Sequence, residues 1–117
     1  MCPNIRLLNA TPNGAIYWFK HSDMAQVIFK NLCFDFYRLE YNAFLKYICG
    51  LDALQIEKKN RMSLHHKKIS IPTGNANLTL LLDREELMEF QNLFKKRPKD
   101  TVLENPLEEI DYPMILN

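Results

Sequence analysis

The chain has 117 residues, 47% of them hydrophobic and 25% charged, with a formal net charge of +1. That is the size and mix of one globular domain, able to bury about two-thirds of its unfolded surface without a disulfide or metal staple. The balanced charge argues against a protein basic throughout and made for nucleic acid, and no apolar run nears the ~20 residues of a membrane span.

The start, Met1 to Gly14, lacks the charged, apolar and small-residue regions of a signal peptide. Ile5 to Asn9 can form a first strand, and Thr11-Pro12-Asn13-Gly14 reads as a turn, because Pro presets φ and Asn-Gly tolerates positive φ. Ala15 to Lys20 is rich in β-formers and is predicted as a strand, with His21-Ser22-Asp23 as the next turn. Ala25, Val27 and Phe29 share one face of a following strand, and Leu32, Phe34 and Phe36 share one face of the next.

At Arg38 the period changes. Tyr41, Phe44, Leu45 and Ile48 recur at helical spacing, and Gly50 is expected to stop that helix in the left-handed conformation. Ala53 to Glu57 is predicted as another strand. The polar stretch 58–68 is an exposed loop or a hairpin tip. Lys68 to Ile71 resumes strand character, Thr73-Gly74-Asn75 turns, and Leu78, Leu80 and Leu82 alternate as in a half-buried strand. Asp83 with Glu86 three residues on forms a helix cap ahead of the stripe Leu87, Phe90 and Phe94. Lys95-Lys96-Arg97 suits the negative end of that helix, and Pro98 ends it. The acidic tail 98–117 carries Leu103, Leu107, Ile110, Met114 and Ile115, which suit docking onto another surface.

A weak internal match appears at an offset of 46 residues. Asn31-Leu32 aligns with Asn77-Leu78, Phe34 and Phe36 with Leu80 and Leu82, and Arg38, Glu40 and Phe44 with Arg84, Glu86 and Phe90. In each segment a strand buries one face and a helix returns across it. Tyr37 stands where Asp83 caps, so the first helix has the poorer start unless Asp35 serves it. The expectation is a single α+β domain over 1–117, an antiparallel sheet with two helices on one face. Its repeat-like units span about 15–52 and 53–97. The second sheet face, to which Tyr17, Phe19, Ile28 and Leu81 are assigned, then needs cover from the tail or from a second subunit.

Candidate chemistry is sparse. His21-Ser22-Asp23 holds the residue types of a hydrolase, but adjacent side chains cannot converge as a triad. His65-His66 has no further ligand at metal-binding spacing. With three glycines in the chain there is no phosphate-cradling loop, so neither catalytic residue, metal nor cofactor is assigned. Cys2, Cys33 and Cys49 are odd in number and widely spaced, which points to free thiols in a reducing cytoplasm. Tyr17, Trp18 and His21 are candidates for a small-ligand wall. Lys58, Lys59, Arg61, Lys67 and Lys68 are candidates for phosphate contacts, with the acidic tail a competing partner.

Pro12-Asn13-Gly14, Gln26-x-x-Phe29-x-Asn31-Leu32, Glu40-x-x-x-Phe44 and Leu80-x-Leu82-x-x-x-Glu86-Leu87 together resemble a family of small uncharacterised bacterial proteins, over most of residues 2–95. The resemblance implies a domain of unknown function and lends no activity. Some relatives carry Cys-x-x-Cys ahead of the Gln; here the segment reads Phe19-Lys20-His21-Ser22-Asp23, so a thiol or metal role does not transfer. The leading expectation is a non-catalytic interaction or regulatory protein acting as a cytoplasmic homodimer, without membrane contact. A nucleic-acid-binding module using residues 58–68 is the alternative, and a ligand carrier or enzyme near Trp18 and His21 the third.

Overall fold

The computed structural model describes residues 4–95. Within them run β1 (Ile5–Thr11), β2 (Gly14–Phe19), β3 (Met24–Phe29), β4 (Leu32–Tyr37), α1 (Arg38–Cys49), α2 (Ala53–Lys59), β5 (Ile69–Pro72), β6 (Thr79–Leu82) and α3 (Arg84–Phe94). The class is α+β, as the alternation of patterns predicts. The first four strands form one antiparallel sheet in sequence order, and β5 and β6 form a separate antiparallel pair rather than joining it.

Tight connections set the meander. Pro12-Asn13 links β1 to β2, and Lys30-Asn31 links β3 to β4, with Lys30 held at φ 55°. A lysine in the left-handed region is uncommon. Here its amide donates to the Asn13 carbonyl at 2.7 Å, which ties the two hairpin tips together.

Strand residues alternate between faces. Ile16, Ala25, Val27, Phe29 and Phe34 therefore share the inner face, and all are buried. Phe90 of α3 stacks on Phe29 with centroids 4.6 Å apart, and Phe44 of α1 lies 5.6 Å from Phe34 and 6.1 Å from Phe90. Both helices thus pack on the inner face, α1 over β3 and β4, α3 over β1 and β2. Phe29 and Phe90, fully buried, each contribute about 2–3 kcal/mol of transfer free energy.

The two helix starts are alike where the repeat predicts it. The Asp83 amide donates to Glu86 Oε1 at 2.9 Å, and the Tyr37 amide donates to Glu40 Oε1 at 2.9 Å. The other half of the cap exists in α3 alone, where Asp83 accepts from the Glu86 amide at 2.8 Å. Asp35 does not cap α1; it accepts from Gln26 across the strands.

Four expectations are corrected. Ala53 to Glu57 is helix, not strand. The run Leu-Gln-Ile-Glu alternates for too few residues to separate the two periods, while Asp52 Oδ1 accepts from the Gln55 amide at 3.3 Å and Ala53 and Ile56 turn inward at helical spacing. There are consequently three helices among the described residues, not two; of the stretch 58–68, Lys58 and Lys59 close α2, and residues 60–68 form a loop, the first of the two alternatives, rather than a hairpin tip. Gly50 ends α1 in the right-handed region, φ −89°, with its amide reaching the Lys46 and Tyr47 carbonyls. Leu78 lies outside β6 and is exposed. Helix α3 ends at Phe94, before the basic run; Asn9 Nδ2 of β1 donates toward the carbonyls of Asn92, Leu93 and Lys95, each at 3.1 Å. Lys96, Arg97, Pro98 and the acidic tail lie outside the described residues.

Candidate interaction surface

The outer sheet face follows from the same alternation. Paired residues share a face, so the register across the strands gives three rows. One is Ala10, Ala15, Ile28 and Cys33; the next is Leu7, Tyr17, Gln26 and Asp35; the last is Ile5, Phe19, Met24 and Tyr37. Gln26 and Asp35 are the two polar members, and they satisfy each other, Gln26 Nε2 donating to Asp35 Oδ1 at 3.2 Å.

α1 and α3 meet the sheet through its inner residues, while α2, β5 and β6 attach to α3 and to one another. Among the described residues no element lies across the outer face. Tyr37 is 62% exposed and Leu7 52% exposed, and Cys33 is exposed on the same face. The other apolar members are half-buried, shaded by their cross-strand neighbours. Partial burial, and then the charge of Asp35, push the Cys33 thiol above its ordinary range, so it is no activated nucleophile.

Tyr17, Phe19 and Ile28 stand on this face as their strand positions require. Leu81 does not; it belongs to the β5–β6 pair, opposite Ser70. Tyr17 and Trp18, neighbours on β2, point to opposite faces and do not form two sides of one wall. Trp18 lies on the inner side under Arg38, whose Cζ is 4.9 Å from the ring centroid. Arg38 is fixed in turn by Asp23, Nη2 to Oδ1 at 2.7 Å and Nε to the same oxygen at 3.2 Å. His21 is exposed in the adjacent turn, where Asp23 adopts φ 54°. The Asp of the hydrolase-like triplet is thereby an arginine partner.

The basic stretch divides. Lys58 and Lys59 close α2 and are exposed, as is Arg61. Lys67 Nζ is 2.9 Å from the Glu86 carboxylate, and Lys68 Nζ donates to the Ser63 carbonyl at 2.7 Å. Between these cations Met62 is 87% exposed and Leu64 fully exposed. His65 and His66 are exposed on the same loop, and among the described residues no three metal-ligating side chains gather.

Sequence reasoning missed the polar network over the hairpin tips. Glu86 also takes Lys30 Nζ at 2.8 Å. Burial pushes the Glu86 carboxyl up, and the bonds from Lys30, the Asp83 amide and Lys67 outweigh it, leaving the group at about 2. One turn on, Glu89 accepts from the Asn13 side chain and amide and from Thr11 Oγ1, at 2.9, 2.9 and 2.7 Å. Those bonds, first the Asn13 side chain, hold its carboxyl below the usual range against partial burial. No local signal marks these pairs, since the partners are remote along the chain.

The arrangement defines a class: an α+β chain with one packed sheet face and, among the described residues, one uncovered apolar face, its Glu86, Glu89, Asp23 and Glu57 engaged in ion pairs, hydrogen bonds and caps. The chain belongs to a family of unknown function (DUF6686), whose model matches residues 1–117. Comparison with curated proteins and with solved structures returns no match. No helix among the described residues is long and apolar enough to cross a membrane.

Proposed function

We propose that this chain is a non-catalytic interaction or regulatory protein that works as a homodimer through the outer face of its four-stranded sheet. The observation that carries the reading is that face: three rows of apolar side chains with the one polar pair already satisfied. The largest apolar patch on a protein surface is often a contact surface. A face self-complementary in chemistry suits a twofold pairing of sheets. Four strands about 4.8 Å apart give a patch of roughly 400 Å² in projection, small beside the roughly 800 Å² each partner gives to a standard interface. The dimer is accordingly reversible. Free thiols at Cys33 and Cys49 favour a reducing cytoplasm as its setting. The matched caps of α1 and α3 and the paired Phe44 and Phe90 support an origin by duplication of a strand-then-helix unit.

Size-exclusion chromatography with light scattering over a wide concentration range tests the dimer. The expected result is a mass that rises from one chain to two; a single-chain mass at the highest concentration reached would remove the reading.

A second reading, a nucleic-acid-binding module, keeps support from Lys58 and Lys59 at the end of α2 and from Arg61 just beyond it, all exposed. With Lys67 and Lys68 engaged, three cations remain, so log affinity for mixed-sequence duplex DNA should fall with log salt at a slope of roughly −3. No binding at low salt removes this reading.

A further inference from the structure

The outer face has a candidate occupant in the same chain. Helix α3 lies on the inner side of the sheet over β1 and β2 and ends at Phe94; Lys95 is already extended, at φ −88°, ψ 140°. Asn9 of β1 holds the departing backbone through the Lys95 carbonyl at 3.1 Å. β1 is the edge strand, and Asn9 sits at the irregularity in its pairing next to Leu7, a member of the outer face. The chain therefore leaves the described residues at the rim of the bare surface.

Length and chemistry fit the same route. Rounding a sheet edge covers about 10 Å, roughly three extended residues at ~3.3 Å each, and crossing four strands about 15 Å, roughly five more, so the tail reaches the face before its apolar positions begin and has length left to lie across it. The eighth residue past Lys95 is Leu103, where the apolar positions of the tail begin. The stretch that must round the edge holds Lys96, Arg97 and Lys99, suited to water. Beyond it Leu103, Leu107 and Ile110 alternate with Glu104, Glu108 and Asp111, so an apolar side and a charged side are available together. The face leaves no buried polar group unsatisfied under such cover, because Gln26 and Asp35 bond each other.

We propose that residues 103–115 occupy the outer sheet face of the single chain and compete there with a second copy. The competition rests on the dimer reading above; the occupancy does not.

The full-length chain tests this, with Cys33 as reporter because it lies exposed on the face. The modification rate of Cys33 by N-ethylmaleimide, followed by peptide mass mapping, is compared between the wild type and Leu107→Asp/Ile110→Asp. Half-buried Cys49, on the inner side, serves as the control for folding. At low protein concentration Cys33 of the variant should react about tenfold faster, the ratio expected when a weakly held cover is removed. The same variant should dimerise at lower concentration than the wild type. Equal Cys33 rates in dilute solution overturn the inference, and if both chains still dimerise the dimer reading survives alone. A wild type that stays single at all concentrations, with Cys33 freed only in the variant, sustains the tail and removes the dimer. Carbodiimide cross-links from residues 104–111 to Lys58 or Lys59, with Cys33 unprotected, place the tail on the basic loop and overturn the inference.

Discussion

Glu86 spends one carboxylate on three partners: the Asp83 amide, Lys30 and Lys67. Its side chain is 12% exposed, so charge-assisted bonds there are stronger than surface pairs. Glu86→Gln keeps the shape but loses both ion pairs, and urea unfolding should show a loss of about 2 kcal/mol at neutral pH. The sign of the pH dependence is fixed by the folded value of about 2 against an ordinary 4.5. A depressed carboxyl stabilises fully above the unfolded value and loses that contribution as pH falls through the folded one. The wild type and Glu86→Gln should therefore converge in stability between pH 4.5 and 2; parallel acid slopes would refute the assignment. Part of this residue was legible in the sequence, because a cap is a contact three residues long. Lys30 and Lys67 were not, since ion pairs between remote segments leave no periodic trace. Gly14 was read as a turn residue for its φ, but space is what binds it: an added Cβ would lie 2.7 Å from the Ile28 carbonyl and 2.9 Å from Leu93 Cδ2. A carbonyl in a β ladder cannot retreat, so Gly14→Ala should cost about 2 kcal/mol, read as a shift of the urea midpoint.

At the scale of elements, the strands and the two long helices were legible because each buries one face at a regular period. α2 was not, because its seven residues sit where a strand and a helix write the same short pattern, and no residue of it is buried. Its hold on the fold comes from outside the local sequence, through Glu57 Oε1 and Arg84 Nη2 at 2.7 Å. Gln91 fastens the α1–α2 junction in the same manner, its Nε2 donating to the Ile48 and Leu51 carbonyls at 2.9 Å each. The repeat predicts equal roles for Phe44 and Phe90, and the packing makes them unequal. Phe90 is wholly buried between Phe29 and the α1 rings, while Phe44 is half-buried. Phe90→Ala should cost about 4 kcal/mol and Phe44→Ala about half that. Because the rings meet edge-on at 6.1 Å, the double variant should fall short of additivity by about 1 kcal/mol. Equal single losses, measured by chemical denaturation, would argue that the two helices sit in equivalent pockets after all.

For the whole molecule, the decisive asymmetry is between the two faces of one sheet. The sequence marks both, since Tyr17, Phe19 and Ile28 are as apolar as their neighbours Ile16, Val27 and Phe29. What it could not mark is that β5 and β6 leave the sheet and that α1 and α3 take the same side of it, because those follow from long-range packing. Exposed face residues such as Leu7 and Tyr37, which would bury on association, give a distinctive signature. If two copies pair, unfolding is linked to dissociation, and each tenfold increase in protein concentration should add about 1.4 kcal/mol per dimer to apparent stability. Leu7→Lys/Tyr37→Lys removes the two most exposed large side chains of the face and places like charges on both copies. In dilute solution, where the wild type is a single chain, the variant should unfold within about 2 kcal/mol of it, the small cost of exposed positions plus at most the loss of a tail held about tenfold. At high concentration the wild-type midpoint should climb and the variant's should stay flat. A variant that is destabilised equally at all concentrations would show that these positions support the fold itself, and a wild-type midpoint independent of concentration would show that the face stays uncovered by a second copy.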